Sequence, residues 1–252
     1  TWRETERGKG VVGISFSTDC YMDGRAGKIT RNVVDTLTSH ERYARVLTRN
    51  PILALQDLDV FKSGGEYVTV GSSIPCMDPN QVGAIEPNAP APEIRLKGLK
   101  EFNDHGVQTF VSMSPTYPTQ DKAALRKQLE RVAECDPAVV FHEPINPRGG
   151  NFEMTVEAAL DAGEAKLAGK LEALKTRENW VEYATNHLQW VQEIGRELDL
   201  PVHLWPDKQL IKHVDEETAV WMQSWRDRQS PEEFAERDVP VEGPPVIPKN
   251  TV

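Results

Sequence analysis

Six short apolar runs, each followed by polar residues and then by a helical pattern, constrain the fold more than any other feature of the sequence. The runs span residues 11–16, 44–47, 67–70, 107–113, 138–141 and 201–204. Between them, apolar residues recur at helical spacing, as over 29–37, 92–105 and 121–135. Strands that alternate with helices form right-handed βαβ units and a parallel sheet. The sequence therefore predicts an α/β fold, and a partial or complete βα barrel suits it better than a doubly wound sheet.

The last third of the chain is predicted to be mainly helical. Two consecutive helices are expected over 156–175 and 179–198, and a further helix over 222–237. The tail over 239–252 is rich in proline and is expected to be extended. We therefore expect a barrel over residues 1–206, followed by C-terminal helices and the tail over 207–252.

Composition and charge favour a soluble protein that acts on small molecules. The formal net charge of −10 gives no attraction to phosphate backbones, which argues against general nucleic-acid binding. No apolar run approaches the roughly 18 residues that indicate a membrane span. Cys20, Cys76 and Cys135 are odd in number and far apart, so they form neither a zinc motif nor a disulfide framework. These features predict a cytoplasmic protein that does not enter membranes.

Polar residues follow each predicted strand, at the carboxyl ends that surround one cavity in a βα barrel. They are Ser17, Thr18 and Asp19; Thr48 and Arg49; Ser72 and Ser73; Ser114; His142 and Glu143; and Trp205 and Asp207. A single polar residue at such a position often only caps the next helix. Six sets in succession predict a shared polar pocket, in which the cation of Arg49 suits a carboxylate.

The pair His142 and Glu143 also allows a different prediction. With Asp19, His203 and Asp207 at neighbouring strand ends, the pair could form the site of a divalent-metal-dependent TIM-barrel hydrolase. Adjacent residues of a strand point to opposite faces, which weakens this prediction. The pair could equally order the loop that follows it.

Two other patterns have structural interpretations. His187 lies in an amphipathic stretch that contains two tryptophans, where a packed helix residue is expected rather than a ligand. The glycine pattern over 8–13 precedes a strand, whereas a dinucleotide-binding fingerprint follows one.

The segment "IEPNAPAPEIRLKGLKEFNDHGV" over 85–107 is the most distinctive in the chain. Together with "ISFSTD", "RVLTRN", "VTVGSSI" and "VSMSPTYP", in that order, it resembles radical S-adenosylmethionine (SAM) proteins of the spore photoproduct lyase-like group. The resemblance covers roughly residues 13–118 well and 138–151 more loosely, and the last hundred residues match nothing in the group. Its signature residues are Glu86, Pro87, Ala89, Pro90, Pro92, Arg95 and Leu96.

The resemblance implies a partial TIM-like barrel of the radical SAM type with extra C-terminal helices. It implies an enzyme that binds SAM and a [4Fe–4S] cluster, receives an electron from a donor such as flavodoxin or ferredoxin, and modifies an unknown substrate by radical chemistry. It also implies roles for individual residues, although none is assigned to catalysis. Thr18 and Asp19 would hold the methionine end of SAM, with Ser17 also in the cofactor site, Arg49 and Ser73 would hold its carboxylate, and Ser114 would lie near the adenine. We expect His142 and Glu143 to face the substrate.

Two departures from the group limit what the resemblance implies. The CxxxCxxC motif that would hold the cluster is absent, so we expect its ligands upstream of residue 1, in a segment that was removed or lost, and the chain as it stands would be inactive. Phe16 stands where the spore enzyme has a hydrogen-donor cysteine, which argues against thymine-dimer repair. The alternatives are a non-catalytic barrel that binds a nucleotide-like ligand or a partner, and the metal hydrolase described above.

Overall fold

A single sheet of six parallel strands forms the centre of the computed structural model, which describes residues 11–15 and 18–227. The strands pair in sequential order and β1 does not pair with β6, so the sheet is an open, partial barrel. They are β1 (Val11–Ile14), β2 (Tyr43–Thr48), β3 (Val68–Ser73), β4 (Thr109–Thr116), β5 (Val139–Pro144) and β6 (Val202–Leu204). Each predicted apolar run overlaps one of these strands, which confirms the α/β class and the partial TIM-like barrel.

Ten α-helices connect and cover the strands within the described residues. They are α1 (Gly24–Thr38), α2 (Pro51–Ala54), α3 (Leu58–Gly64), α4 (Pro79–Ile85), α5 (Pro92–Asp104), α6 (Lys122–Ala133), α7 (Gly150–Asp161), α8 (Ala165–Ala173), α9 (Arg177–Glu197) and α10 (Glu216–Asp227). Carboxylates start several of them, since Asp23, Asp78 and Asp121 accept hydrogen bonds from backbone N–H groups of the first turn. Pro92 is a first-turn residue of α5, as its position in the sequence predicts. None of the described helices is both long and apolar enough to cross a membrane.

The C-terminal third differs from the prediction in one respect. The single helix expected over 156–175 is wrong, because the chain forms α7 and α8 with a break between them. Gly163 lies in this break with φ +78°, a left-handed conformation that ends a helix and that glycine adopts without a steric penalty.

The helix α10 completes the same hydrophobic core as the barrel. Met222 and Trp225 are buried in that core, and the indole of Trp221 donates a 2.7 Å hydrogen bond to Gln192 of α9. The helix expected over 222–237 is thus confirmed for residues 222–227, while its remainder and the proline-rich tail lie outside the described residues.

Candidate functional site

A cavity of about 1050 Å³ opens at the carboxyl ends of the strands, where the sequence predicts a shared pocket. Side chains from β2, β4 and β5, from the loops that follow β1 and β2, from the loop between α4 and α5, and from α7 line it. Its polar lining includes Asp19, Arg45, Arg49, Asn50, Glu86, Ser112, Ser114, Glu143 and Asn146. The cavity therefore offers charges of both signs on a largely apolar background.

Asp19 connects the end of β1 to the end of β2 through hydrogen bonds at the cavity wall. Its Oδ1 accepts hydrogen bonds from the backbone N–H of Tyr21 at 2.9 Å and from the hydroxyl of Thr48 at 2.7 Å. Its Oδ2 accepts a 2.6 Å hydrogen bond from the backbone N–H of Arg49. The carboxylate therefore fixes the position from which the Arg49 side chain extends along the cavity.

Glu86 lies between two arginines at the mouth of the cavity. The Nε of Arg49 donates a 2.7 Å hydrogen bond to one carboxylate oxygen of Glu86. The Nη2 of Arg95 forms a 2.6 Å ion pair with the other oxygen. Among the described residues, the Arg49 guanidinium makes no other hydrogen bond, so its two terminal nitrogens remain for a ligand.

Arg95 holds the proline-rich loop between α4 and α5 against the sheet. It is fully buried, and it donates hydrogen bonds to the carbonyl of Pro90 at 2.6 Å and to the carbonyl of Ser73 at 2.9 Å. The loop carries Glu86 at its start, so Arg95 positions this carboxylate both through the loop and through the ion pair. Glu86 is a site residue that the strand-end rule misses, since it follows a helix. The only signal for it in the sequence is its place in the motif that also contains Arg95.

The cavity brings together four of the eight residues predicted to contact SAM or the substrate, namely Asp19, Arg49, Ser114 and Glu143. Trp205, from the predicted strand-end series, lines it too. Three others do not line it. Thr18 is exposed outside the cavity, the side chain of Ser73 is buried in the sheet, and His142 lies on the opposite face of β5. Ser17 lies outside the described residues.

Glu143 is the cavity carboxylate whose protonation is most perturbed. Its pKa is raised to about 6, mainly by burial and also by the nearby charge of Asp207, while Arg226 opposes both effects. Asp207 itself pairs with Arg148 and accepts a 2.7 Å hydrogen bond from Asn146. Glu143 therefore gains and loses its proton close to neutral pH, within reach of a molecule in the cavity.

His142 requires a correction, because it does not face the cavity with Glu143. It is fully buried between β5 and α9, where its Nε2 lies 3.1 Å from the hydroxyl of Thr116. That hydroxyl lies 3.2 Å from Nδ1 of His187, whose Nε2 lies 2.9 Å from the carbonyl of Gln120. A carbonyl only accepts, so Nε2 of His187 carries a proton. Because burial keeps this ring neutral, its Nδ1 accepts from the Thr116 hydroxyl, which in turn accepts from Nε2 of His142. Both imidazoles are therefore neutral members of the core, as predicted for His187.

These histidines predict a loss of stability in mild acid. Burial lowers the pKa of His187 from 6.5 to about 4, and burial also lowers that of His142. Because a depressed folded-state pKa means that the unfolded chain binds more protons, stability is complete above pH 6.5 and falls between pH 6.5 and about 4. We expect His187 alone to account for about 2 kcal/mol of unfolding free energy lost between pH 7 and pH 5.

Urea denaturation of the wild type and His187→Gln at both pH values measures this contribution. Glu143 acts in the opposite direction, since its raised pKa favours folding at lower pH, but it does so equally in both proteins. The difference between the two pH dependences therefore measures His187 together with its electrostatic effect on His142. Equal losses in both proteins would contradict the assignment of a neutral, buried His187.

Comparisons with known proteins agree with the architecture. No protein-family model matches the sequence. The uncharacterized protein ORF301 of Acidianus two-tailed virus is 28% identical over 107 residues, which cover 40% of this chain and 36% of the viral protein. The crystal structure of Streptococcus suis SuiB bound to S-adenosylmethionine covers 81% of this chain and 41% of SuiB, with a TM-score of 0.52 and 11% identity. The chain therefore shares its partial βα-barrel fold with SuiB. It spans well under half the length of each of these two proteins.

The described residues do not fit a [4Fe–4S] cluster. Such a cluster requires several neighbouring cysteine thiolates. Cys20, Cys76 and Cys135 lie apart, and burial raises the pKa of each thiol, to about 11, 12 and 11 respectively. Across residues 11–15 and 18–227, no three His, Cys, Asp or Glu side chains form a group that could hold a metal ion. The absence of such a group from the described residues also leaves the predicted metal hydrolase without support. In addition, His142 and Glu143 lie on opposite faces of β5.

SAM, in contrast, suits the residues at the mouth of the cavity. It carries a carboxylate, an ammonium and a sulfonium, which need partners of both charges. Arg49 offers donors to a carboxylate, while Glu86, whose oxygens already pair with Arg49 and Arg95, has lone pairs left to accept from a cation. The volume of about 1050 Å³ is at the upper end of the usual range for ligand pockets, so a second molecule has room beside a cofactor.

Proposed function

We propose that the chain is the SAM-binding domain of a radical SAM enzyme of the spore photoproduct lyase-like group. The observation that carries this proposal is Arg49, which Asp19 and Glu86 hold at the cavity mouth with two guanidinium nitrogens left for a carboxylate. The sequence motif that contains Glu86 and Arg95 is the one that resembles this group, and it forms the wall of that mouth. SAM would supply a sulfonium whose reductive cleavage starts the radical chemistry.

Each cavity residue has a separate task in this proposal. Arg49 binds the SAM carboxylate, and Asp19 positions Arg49 through its backbone N–H. Ser114 lies on the cavity wall beyond them, where a hydroxyl suits the polar edge of the adenine. Glu143 faces the substrate and exchanges a proton with it near neutral pH. The cluster and an electron donor such as flavodoxin or ferredoxin would involve residues outside those described.

Isothermal titration of the chain with SAM tests the proposal. We expect Arg49→Ala to weaken SAM binding at least tenfold, because it removes the cation that pairs with the carboxylate. The variant should fold, since Glu86 keeps its ion pair with Arg95. Lys122→Ala is the matched control, because Lys122 is an exposed cation paired with Glu193 on the protein surface. An unchanged affinity in Arg49→Ala, or an equal loss in the control, would remove the support for this site.

A second candidate function is a non-catalytic barrel that binds a nucleotide-like ligand or a partner. The separate, protonated cysteines of the described residues favour it. Iron and sulfide analysis after anaerobic reconstitution of the whole natural protein separates the two candidates. About four irons for each chain would support the enzyme, whereas SAM binding without iron would support the non-catalytic barrel.

A further inference from the structure

Arg45 lies at the floor of the cavity, between two phenylalanine rings. Its guanidinium carbon is 4.8 Å from the centre of the Phe141 ring and 5.4 Å from that of Phe110. All three residues line the cavity, together with Leu47. Arg49 lies four residues further along the chain, which corresponds to about 13 Å along a strand. Arg45 is therefore a second cation, well below the proposed SAM site at the mouth.

No acidic side chain of the described residues pairs with Arg45. Its Nε and Nη2 are buried and have no hydrogen-bond partner, and burial lowers its pKa to about 10. Arg95, the other arginine in the interior of this region, has Glu86 as its counter-ion. A buried guanidinium without an anion is costly, and contact with aromatic faces offsets only part of that cost. The positive charge of Arg45 at the floor of the cavity is therefore not balanced by an anion among the described residues.

We propose that Arg45 binds an anionic group of the substrate, and that this substrate is a carboxylate or phosphate carried on an apolar, aromatic body. The inference rests on the proposed function, because it assigns the floor to the substrate on the basis that SAM occupies the mouth. Guanidinium nitrogens pair with two oxygens of a carboxylate or phosphate at once. The rings of Phe110 and Phe141, with Leu47, contact the apolar body beside that anion.

The floor is held in a fixed shape by the residues around it. Phe110 and Phe141 pack edge to face, with ring centres 5.8 Å apart. Phe110 lies directly over Gly71 of β3, where a Cβ would come within 2.3 Å of the ring. The guanidinium of Arg45 consequently rests on a rigid aromatic surface, which limits the entropy lost when an anion binds.

Titrations with benzoate and phenyl phosphate, monitored by NMR, test this site, and uncharged benzamide serves as the matched ligand. We expect at least one of the two anions to bind the wild type ten or more times more tightly than benzamide. Arg45→Met keeps the length of the side chain and should abolish that preference. Lys122→Met, at an exposed site, should retain it. The stronger of the two anions identifies whether a carboxylate or a phosphate is preferred.

Anion binding that is equal in the wild type and Arg45→Met would overturn the inference. So would a tenfold loss of SAM affinity in Arg45→Met, since Arg45 would then belong to the SAM site. If Arg45→Met fails to fold, Arg45→Lys keeps the charge without the paired nitrogens and should weaken anion binding several-fold. The chain could also prefer anions through Arg45 and yet not bind SAM. That result would support the anion site and contradict the proposed function, so the two proposals can fail separately.

Discussion

Replacing Arg95 by methionine is expected to lower the free energy of unfolding by about 3–5 kcal/mol, the usual effect of breaking a buried ion pair by removing one partner. Arg95 is 0% exposed, and its loss leaves the carbonyls of Pro90 and Ser73 without their donors. Glu86 would keep only Arg49, whose side chain is 47% exposed. The proline-rich loop should then separate from the sheet, which would disrupt the cavity mouth that it lines.

Urea denaturation at pH 7 measures this loss. Arg126→Met is the control, because Arg126 forms an exposed ion pair with Glu197 and should contribute less than about 1 kcal/mol. Glu86→Gln adds a second measurement, since it keeps the shape of the side chain but leaves the charge of Arg95 unpaired. A loss for Arg95→Met no larger than that of the control would show that Arg95 does not hold the loop.

Gly71→Ala is expected to destabilise the protein by about 1–3 kcal/mol through overpacking. The new methyl group would lie 2.3–2.5 Å from three atoms of the Phe110 ring, a separation that non-bonded carbons do not reach. Relief requires the ring to move, but Phe141 and Arg45 occupy the space beside it. Gly71→Ala should therefore also reduce the preference for anions over benzamide.

Gly83→Ala provides the matched control for this substitution. Gly83 lies within α4, and nothing lies within 4 Å of its added Cβ. Alanine should stabilise the helix there by about 0.5–1 kcal/mol. Thermal or urea unfolding of both variants gives the comparison. Equal stability of the two variants would mean that Phe110 does not pack against Gly71 in solution.

The strands were predictable because a parallel sheet buries both of its faces, so each strand appears in the sequence as an apolar run. Asp19, Arg49, Ser114 and Glu143 were predictable because the carboxyl ends of those strands meet at one edge. Adjacent side chains of a strand point to opposite faces, but the sequence does not show which face is which. Only the structure shows that Glu143 faces the cavity and His142 the core. The break at Gly163 was missed because apolar residues keep their helical spacing across it.

Arg45 and Glu86 are two charged cavity residues that the strand-end rule excludes. Arg45 lies inside an apolar run, so its neighbours in the sequence indicate only a buried strand. A charged residue within such a run was the available signal, because charged side chains are rarely buried unless they are paired. Glu86 follows a helix, and its partners Arg49 and Arg95 are 37 and 9 residues away in the sequence. Only the folded chain brings these three charges together.

The shared carboxylate of Glu86 has an evolutionary consequence. Because Arg95 alone suffices to neutralise Glu86 in the interior, a change at position 49 leaves no buried charge without a counter-ion. Position 49 is consequently constrained by what the cavity mouth binds and not by folding, so we expect it to change only together with the ligand. Position 95 is constrained by folding itself, so we expect related sequences to differ at the cavity mouth while they retain Arg95 beneath it.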